Sequence, residues 1–517
     1  MKRILFLSFF IAIGFNISAQ NQMPEVSDVR VELDLQQKLI LVYYTIDDAE
    51  NDVISVRLKS SSDGEFYEIV EDGVAGDAGD GISPGEKVIR WTYPLDLELN
   101  NVSIRLAIWD DAAINIADWV DEVSEAILVE HMSFIEGPRN YSTSRPHLEA
   151  VKDSIESRFM DAGLLTSRQD FLFQNQNGQN ILGRKPGLLD ESSTWIIDGH
   201  FDSVSNTPGA DDNGSAVVGV LEIARVLSRY SFEQNLLFVG FDFEEAGLIG
   251  SQRYVQSGRR PFETIKGVYN MEMIGYYTEE PNTQQLPFGF SSLFPAAAAA
   301  VIADEYRGNF LTNVGNANSA ALIASIEESA SLYVPELKVI SLNVPGTGTL
   351  VPDLRRSDHA PFWDAGIPAL MLTDGANFRN QNYHTPGDSS ATLNYTFMSR
   401  VIKTVLAAVA TQAKPIHGFS VDAGMLTSTN HLHNHVKPKV SLTPNPATNE
   451  ANLRILGSPE TLFHLKLMSL DGKVFYSTHT RGNSDTLIPL AGLSPGTYVV
   501  LLDSPELSIS RELLIKK

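Results

Sequence analysis

Cysteine is absent from all 517 residues. Disulfides, thiolate nucleophiles and Cys-ligated zinc are thereby excluded, so any transition metal must be held by His, Asp or Glu. Positive charge is also scarce. The 39 Lys and Arg stand against 64 Asp and Glu, a net charge of −25, which disfavours nucleic acid and anionic lipid as partners. Long apolar runs are few. The strongest, Ile4 to Ile13 behind Met1-Lys2-Arg3, falls short of the ~18 residues that cross a bilayer. With small residues around Ala19, it predicts a secretory signal over residues 1–19 rather than a membrane anchor. The alanine run Ala296 to Ala300 lies between Pro295 and Asp304-Glu305 and is not expected to span either. An exported chain without disulfides must draw its stability from core burial and bound metal.

What is present divides into segments. Residues 24–112 alternate short β-rich runs, such as Leu39 to Thr45 and Val102 to Trp109, with Gly/Asp-rich breaks, predicting a small β-sandwich. Its acidic turns, Asp47-Asp48 and Asp77/Asp80, could hold calcium, but no full calcium-loop pattern occurs and solvated loops are the simpler reading. Over residues 114–414, short apolar runs (Trp195 to Asp198, Leu236 to Asp242, Val268 to Glu272, Ala369 to Leu372) alternate with helical periodicity such as Ser215 to Leu227. The expected fold there is α/β, a mixed, mostly parallel sheet flanked by helices. Residues 415–439 read as a polar linker, with His431, His433 and His435 solvated, and residues 440–517 as a second, C-terminal β-sandwich.

The chemistry gathers in the α/β segment. His200 ends an apolar run, and Asp202, two residues on, can orient its ring. Taken alone, that is equally a structural pair. Asp211-Asp212 sits in a tight loop before a helix, where a carboxylate can bridge two cations or cap the helix. Glu244-Glu245 follows another apolar run; one could ligate metal while the other moves a proton, or the pair could mark a helix start. Glu272 lies in an apolar run where a charge needs a partner or a metal. Tyr383-His384 adds a nitrogen ligand far along the chain.

Taken together, Gly199-His200-Phe201-Asp202-Ser203, Pro208-Gly209-Ala210-Asp211-Asp212, Glu244-Glu245-Ala246-Gly247-Leu248 and Tyr383-His384 resemble the bimetallic zinc aminopeptidases of the secreted bacterial leucyl type. The resemblance implies a zinc exopeptidase fold and two zinc ions. One would be held by His200, Asp212 and Glu272, the other by Asp212, Glu245 and His384, with Asp212 bridging. It further implies Glu244 as general base, Asp202 orienting His200, Tyr383 stabilising the oxyanion, and a cis Asp212-Asn213 peptide. Glu272 stands where the family usually has Asp. The implied activity is removal of N-terminal residues from peptides by metal-activated water. Pro444-Asn445-Pro446, Leu470-Asp471-Gly472-Lys473-Val474 and Leu493-Ser494-Pro495-Gly496-Thr497-Tyr498 resemble the C-terminal sorting domain of type IX secretion cargo. That implies passage through the periplasm, the type IX machinery as partner, and release or attachment to surface lipopolysaccharide.

Three alternatives remain at this level. Glutaminyl cyclases and glutamate carboxypeptidases are relatives of the same fold, and a non-catalytic surface-binding protein could use the scaffold. Arg379 could clamp a substrate carboxylate, favouring dipeptides, or serve as a structural ion pair.

Overall fold

The structure is a computed structural model describing residues 22–426 apart from 51, 96, 98, 100 and 101, and residues 439–515 apart from 457–461, 470–472, 483 and 505–507. The expected signal, His431, His433, His435 and Leu470-Asp471-Gly472 lie outside the described residues.

The centre of the α/β segment is an eight-stranded sheet. Strand Asp190–His200 runs parallel to both of its neighbours, Gln234–Phe241 and Thr264–Met271, and Thr264–Met271 runs parallel to Ala369–Thr373. Antiparallel strands Gln176–Lys185 and Leu165–Phe173 extend one edge. Alternation along Gln234–Phe241 explains why this strand is buried throughout: Leu236 and Phe238 join one core, while Leu237, Val239 and Phe241 join another. Helices Ala216–Leu227 and Tyr395–Ala413 cover the first face, and Pro295–Ala303 and His359–Asp364 the second. A sheet covered on both sides needs such continuous apolar strands. The mixed, mostly parallel α/β expectation therefore holds. Among the described residues, no helix is long and apolar enough to cross a membrane.

Two sheets in residues 25–109 form the N-terminal sandwich, but its composition corrects the linker expectation. Gly418–Leu426 is a strand pairing antiparallel with Val102–Trp109, and its Ala423 and Leu426 enter the sandwich core. Pro415–Ile416 likewise pairs with Ser231–Phe232. The edge of Val102–Trp109 left open by the N-terminal residues is closed by chain arriving from beyond the α/β unit, which satisfies its backbone groups. The two units are also joined by a buried ion pair, Lys59 Nζ to Glu191 Oε1 at 2.7 Å. Lys59 donates further to the carbonyls of Gly187 and Leu188, completing the partners that a buried ammonium needs.

Residues 439–515 fold as a three-stranded and a four-stranded sheet over a core that includes Leu453, Phe463, Leu465 and Val500. This is the expected C-terminal sandwich.

Candidate metal centre

Four neighbouring parallel strands end on one side of the sheet, and each is followed by a residue of the centre. His200 ends Asp190–His200, Glu244 and Glu245 follow Gln234–Phe241, Glu272 follows Thr264–Met271, and His384 lies beyond Ala369–Thr373. Ligands of open α/β sheets collect at such carboxyl ends. Gly199 lets the strand approach the helix behind it: a Cβ there would stand 2.8 Å from the Cβ of Ala216.

The loop carrying Asp212 is turned by Gly209, whose φ is +63° and where a Cβ would lie 2.6 Å from the Asp212 carbonyl oxygen. The Asp212-Asn213 peptide is cis, as expected. Asp212 divides its two oxygens. Its Oδ1 lies 3.5 Å from His200 Nε2, and its Oδ2 lies 3.0 Å from His384 Nε2. Glu272 Oε2 is 3.3 Å from His200 Nε2, and Glu245 Oε2 is 3.4 Å from His384 Nε2. Two groups result, His200/Asp212/Glu272 and Asp212/Glu245/His384, each offering donor atoms all within 4.8 Å of one another.

These donors fit zinc. His200 Nε2 and Glu245 Oε1 are buried without a hydrogen-bond partner, and orphaned polar atoms of that kind are costly unless something binds them. Nitrogen and carboxylate oxygen donors are the zinc set left open to a chain without cysteine. Crowding perturbs the acids: burial, then the charge of Asp212, pushes Glu245 up to about 7. Burial, with Glu272 and Glu245 adding to it against the opposing His200, holds Glu244 well above the usual carboxylate range. For His384, burial is outweighed by Asp212 and Glu245, which raise it to about 9.

Asp202 does more than expected. Its Oδ1 and Oδ2 accept the backbone N–H groups of Glu244 and Glu245 at 3.0 and 3.2 Å. Its own backbone carbonyl is nearer to His200 Nδ1 (3.2 Å) than its Oδ1 is (3.5 Å). One residue thus ties the histidine loop to the glutamate loop. Tyr383 stacks on His384, ring centroids 3.8 Å apart, and its hydroxyl accepts a hydrogen bond from Arg356 Nη2 at 2.7 Å.

Several further residues support these ligands. Asp388 accepts the N–H groups of Asp211 and Asp212 at 2.9 and 3.1 Å. Asn213 Nδ2 and Ser357 Oγ donate to Glu272 Oε2 at 3.1 and 2.8 Å. Arg139, wholly buried, donates to the carbonyls of Ile135, Gly137, Phe201, Pro208 and Gly209, which spans both the histidine loop and the Asp212 loop. Asp388 had a usable cue, four residues after His384 in the same short motif, and Ser357 lies in the Arg356-to-Phe362 stretch that precedes the last strand of the sheet. Asp211 does not join the centre; it accepts from Gly275 N and Asn380 Nδ2. The carboxylate-clamp reading of Arg379 is overturned. That residue is 1% exposed, with its Nε on Gln284 Oε1 at 2.8 Å and its guanidinium over the Phe310 ring.

Of the acidic turns in the N-terminal sandwich, Asp80 pairs with Arg57 and Asp77 accepts Val88 N–H. Asp48, Glu50 and Asp52 bring carboxylate oxygens within 4.8 Å of one another.

The profile of Peptidase family M28 matches residues 180–409, and that of the secretion system C-terminal sorting domain matches residues 441–516. The chain is 33% identical over 277 residues to an uncharacterized protein of Escherichia coli K12, YfbL, covering 50% of this chain and 79% of that protein. It is 29% identical over 242 residues to aminopeptidase YwaD of Bacillus subtilis 168, covering 46% of this chain and 45% of that enzyme. Leupeptin-inactivating enzyme 1 of Streptomyces exfoliatus is 26% identical over 386 residues, covering 68% of this chain and 76% of the enzyme. The strand-end His and acid cluster thus lies on a chain that belongs to the zinc peptidases of family M28, with a type IX sorting domain that marks it as secreted or attached to the outer surface.

Proposed function

We propose that this chain is a two-zinc aminopeptidase that removes N-terminal residues with bulky apolar side chains from peptides outside the cell. The observation that carries the reading is the division of Asp212, one oxygen toward each histidine. In this reading His200, Asp212 and Glu272 hold one ion, and Asp212, Glu245 and His384 the other. When bound, the pair supplies Lewis acidity for activating water and the scissile carbonyl.

The chain's own residues do the rest. Glu244, with Oε2 3.7 Å from His200 Nε2 and its pKa held high by burial, takes the proton from the attacking water and returns it to the leaving amine. Tyr383 donates its hydroxyl hydrogen to the developing oxyanion. The acids around the opening attract the free α-ammonium. Beside Glu272 and Tyr383 opens a cleft whose walls include Leu286, Phe290, Phe310, Leu342, Met371 and Phe378. A wall of that composition takes an aliphatic or aromatic side chain.

The test is a substrate panel on the full chain: leucyl, phenylalanyl, glutamyl and lysyl p-nitroanilides, an N-blocked peptide, an N-terminal glutaminyl peptide and a peptide ending in glutamate. Leucyl and phenylalanyl substrates are expected to turn over fastest, and the blocked peptide not at all. Cyclisation of the glutaminyl peptide, or release of C-terminal glutamate as the main activity, would contradict the assignment.

A further inference from the structure

The geometry points to Arg356 as a positioning residue that sets the direction of the Tyr383 hydroxyl hydrogen for oxyanion binding; this rests on the reading of Tyr383 as the oxyanion donor. A phenol has one hydrogen to give and lone pairs to receive. Arg356 Nη2 occupies the acceptor side of Tyr383 Oη at 2.7 Å, so the remaining hydrogen is free to donate elsewhere. The ring's orientation is supported by its stacking on His384, at 3.8 Å between centroids and 17° between planes. His384 is itself held by Asp212 and Glu245.

Arg356 is aimed as well. Its Nη1 donates to Asn377 Oδ1 at 3.1 Å and lies 3.8 Å from Asp353 Oδ1. Arg356, Asn377, Asp353, Tyr383 and Glu272 all line the same cleft. A hydroxyl that accepts from a cation is also the stronger donor, since hydrogen bonds in a chain polarise one another. The next residue, Ser357, donates to Glu272 Oε2 at 2.8 Å, so adjacent positions act on Tyr383 and on Glu272.

Arg356 differs from the other two arginines near the centre. Arg139 and Arg379 are fully buried, whereas the Arg356 side chain is 44% exposed. Its removal leaves no cavity in the core, so its effect on turnover can be read in a folded protein.

The test is a double-mutant cycle on a leucyl substrate with the full zinc-loaded chain, measuring kcat and KM separately. Tyr383→Phe should lower kcat about 100-fold, the cost of an oxyanion donor. Arg356→Ala should lower kcat about tenfold with KM within about twofold, because the interaction is made only in the transition state. In the double variant kcat should match Tyr383→Phe alone, since the arginine then has no hydroxyl to direct. Independent losses, with the double variant about 1000-fold down, would overturn the coupling, as would a raised KM at unchanged kcat for Arg356→Ala. A Tyr383→Phe enzyme with full kcat would overturn the oxyanion reading itself, a result distinct from the other two.

Discussion

The two halves of the metal centre share Asp212 but not their surroundings. The His200 side chain is 1% exposed, whereas that of His384 is 35% exposed. Around His200 the ligands are held from behind: Asn213 and Ser357 on Glu272, Asp388 on the Asp212 backbone, and Arg139 on the loops at either side. Around His384 the support comes from Asp202 on the Glu245 backbone and from the Tyr383 ring stacked on the imidazole, and the histidine itself is more open to solvent. Rigid, desolvated ligands bind more tightly than ligands that must be ordered on binding. On the proposed two-zinc reading, the His200 half would hold its ion more tightly and the His384 half would exchange its ion more readily.

The largest effect should come from the residue common to both. Asp212→Asn is expected to remove both ions and, with them, peptide hydrolysis; elemental analysis retaining one full equivalent would show that the halves do not depend on the bridge. Glu244→Gln should keep both ions and lower kcat about 100- to 10,000-fold, the range for a general base. Hydrolysis at the native rate would instead place the base elsewhere.

A smaller effect tests the support from behind. Asp388→Asn loses one acceptor for the Asp211 and Asp212 N–H groups, so zinc affinity measured by chelator competition should drop about 10- to 100-fold, as for other outer-shell partners. Unchanged affinity in a folded variant would make Asp388 incidental.

The smallest effect is on the pH dependence of the metal-free chain. Burial, with Asp211 beside it, raises Asp388 to about 7, and burial raises Asp358 to about 7 as well, each from an ordinary 3.8. An acid whose folded pKa is raised contributes stability that is full below about pH 4 and lost as pH rises through about 7. The chelated protein should accordingly have a lower Tm at pH 8 than at pH 5, and zinc should raise Tm more at pH 8. A metal-free Tm that increases across this range would contradict the burial account.

The same contrast explains what could be read from the chain alone. His200, Glu244, Glu245 and Glu272 stood out because each ends or follows an apolar strand, where a charged or ligating side chain is conspicuous, whereas Asp212, in a loop before a helix, and His384, far along the chain, were picked out by the family resemblance. What their supports hold was not legible, because those contacts join distant positions: Asp388 meets Asp211 across 177 residues, and Arg139 meets Gly209 across 70. A lone arginine in a turn has no local pattern. Gly418–Leu426 was hidden for the same reason; its Asp422 pairs with Arg105 across 317 residues, and only the weak alternation of Phe419, Val421 and Ala423 hinted at a strand. For Arg379 the sequence left a carboxylate clamp and a structural role open, and its guanidinium, enclosed by Gln284 and Phe310, takes the structural one.

Graded removal of zinc from the full chain, followed by elemental analysis and repeated with His384→Ala, tests the central claim most directly. Two zinc ions per native chain are expected, leaving in two steps, with one resistant ion in the variant that matches the second step. A native chain that saturates at one ion or none, or a His384→Ala chain that still holds two, would contradict it.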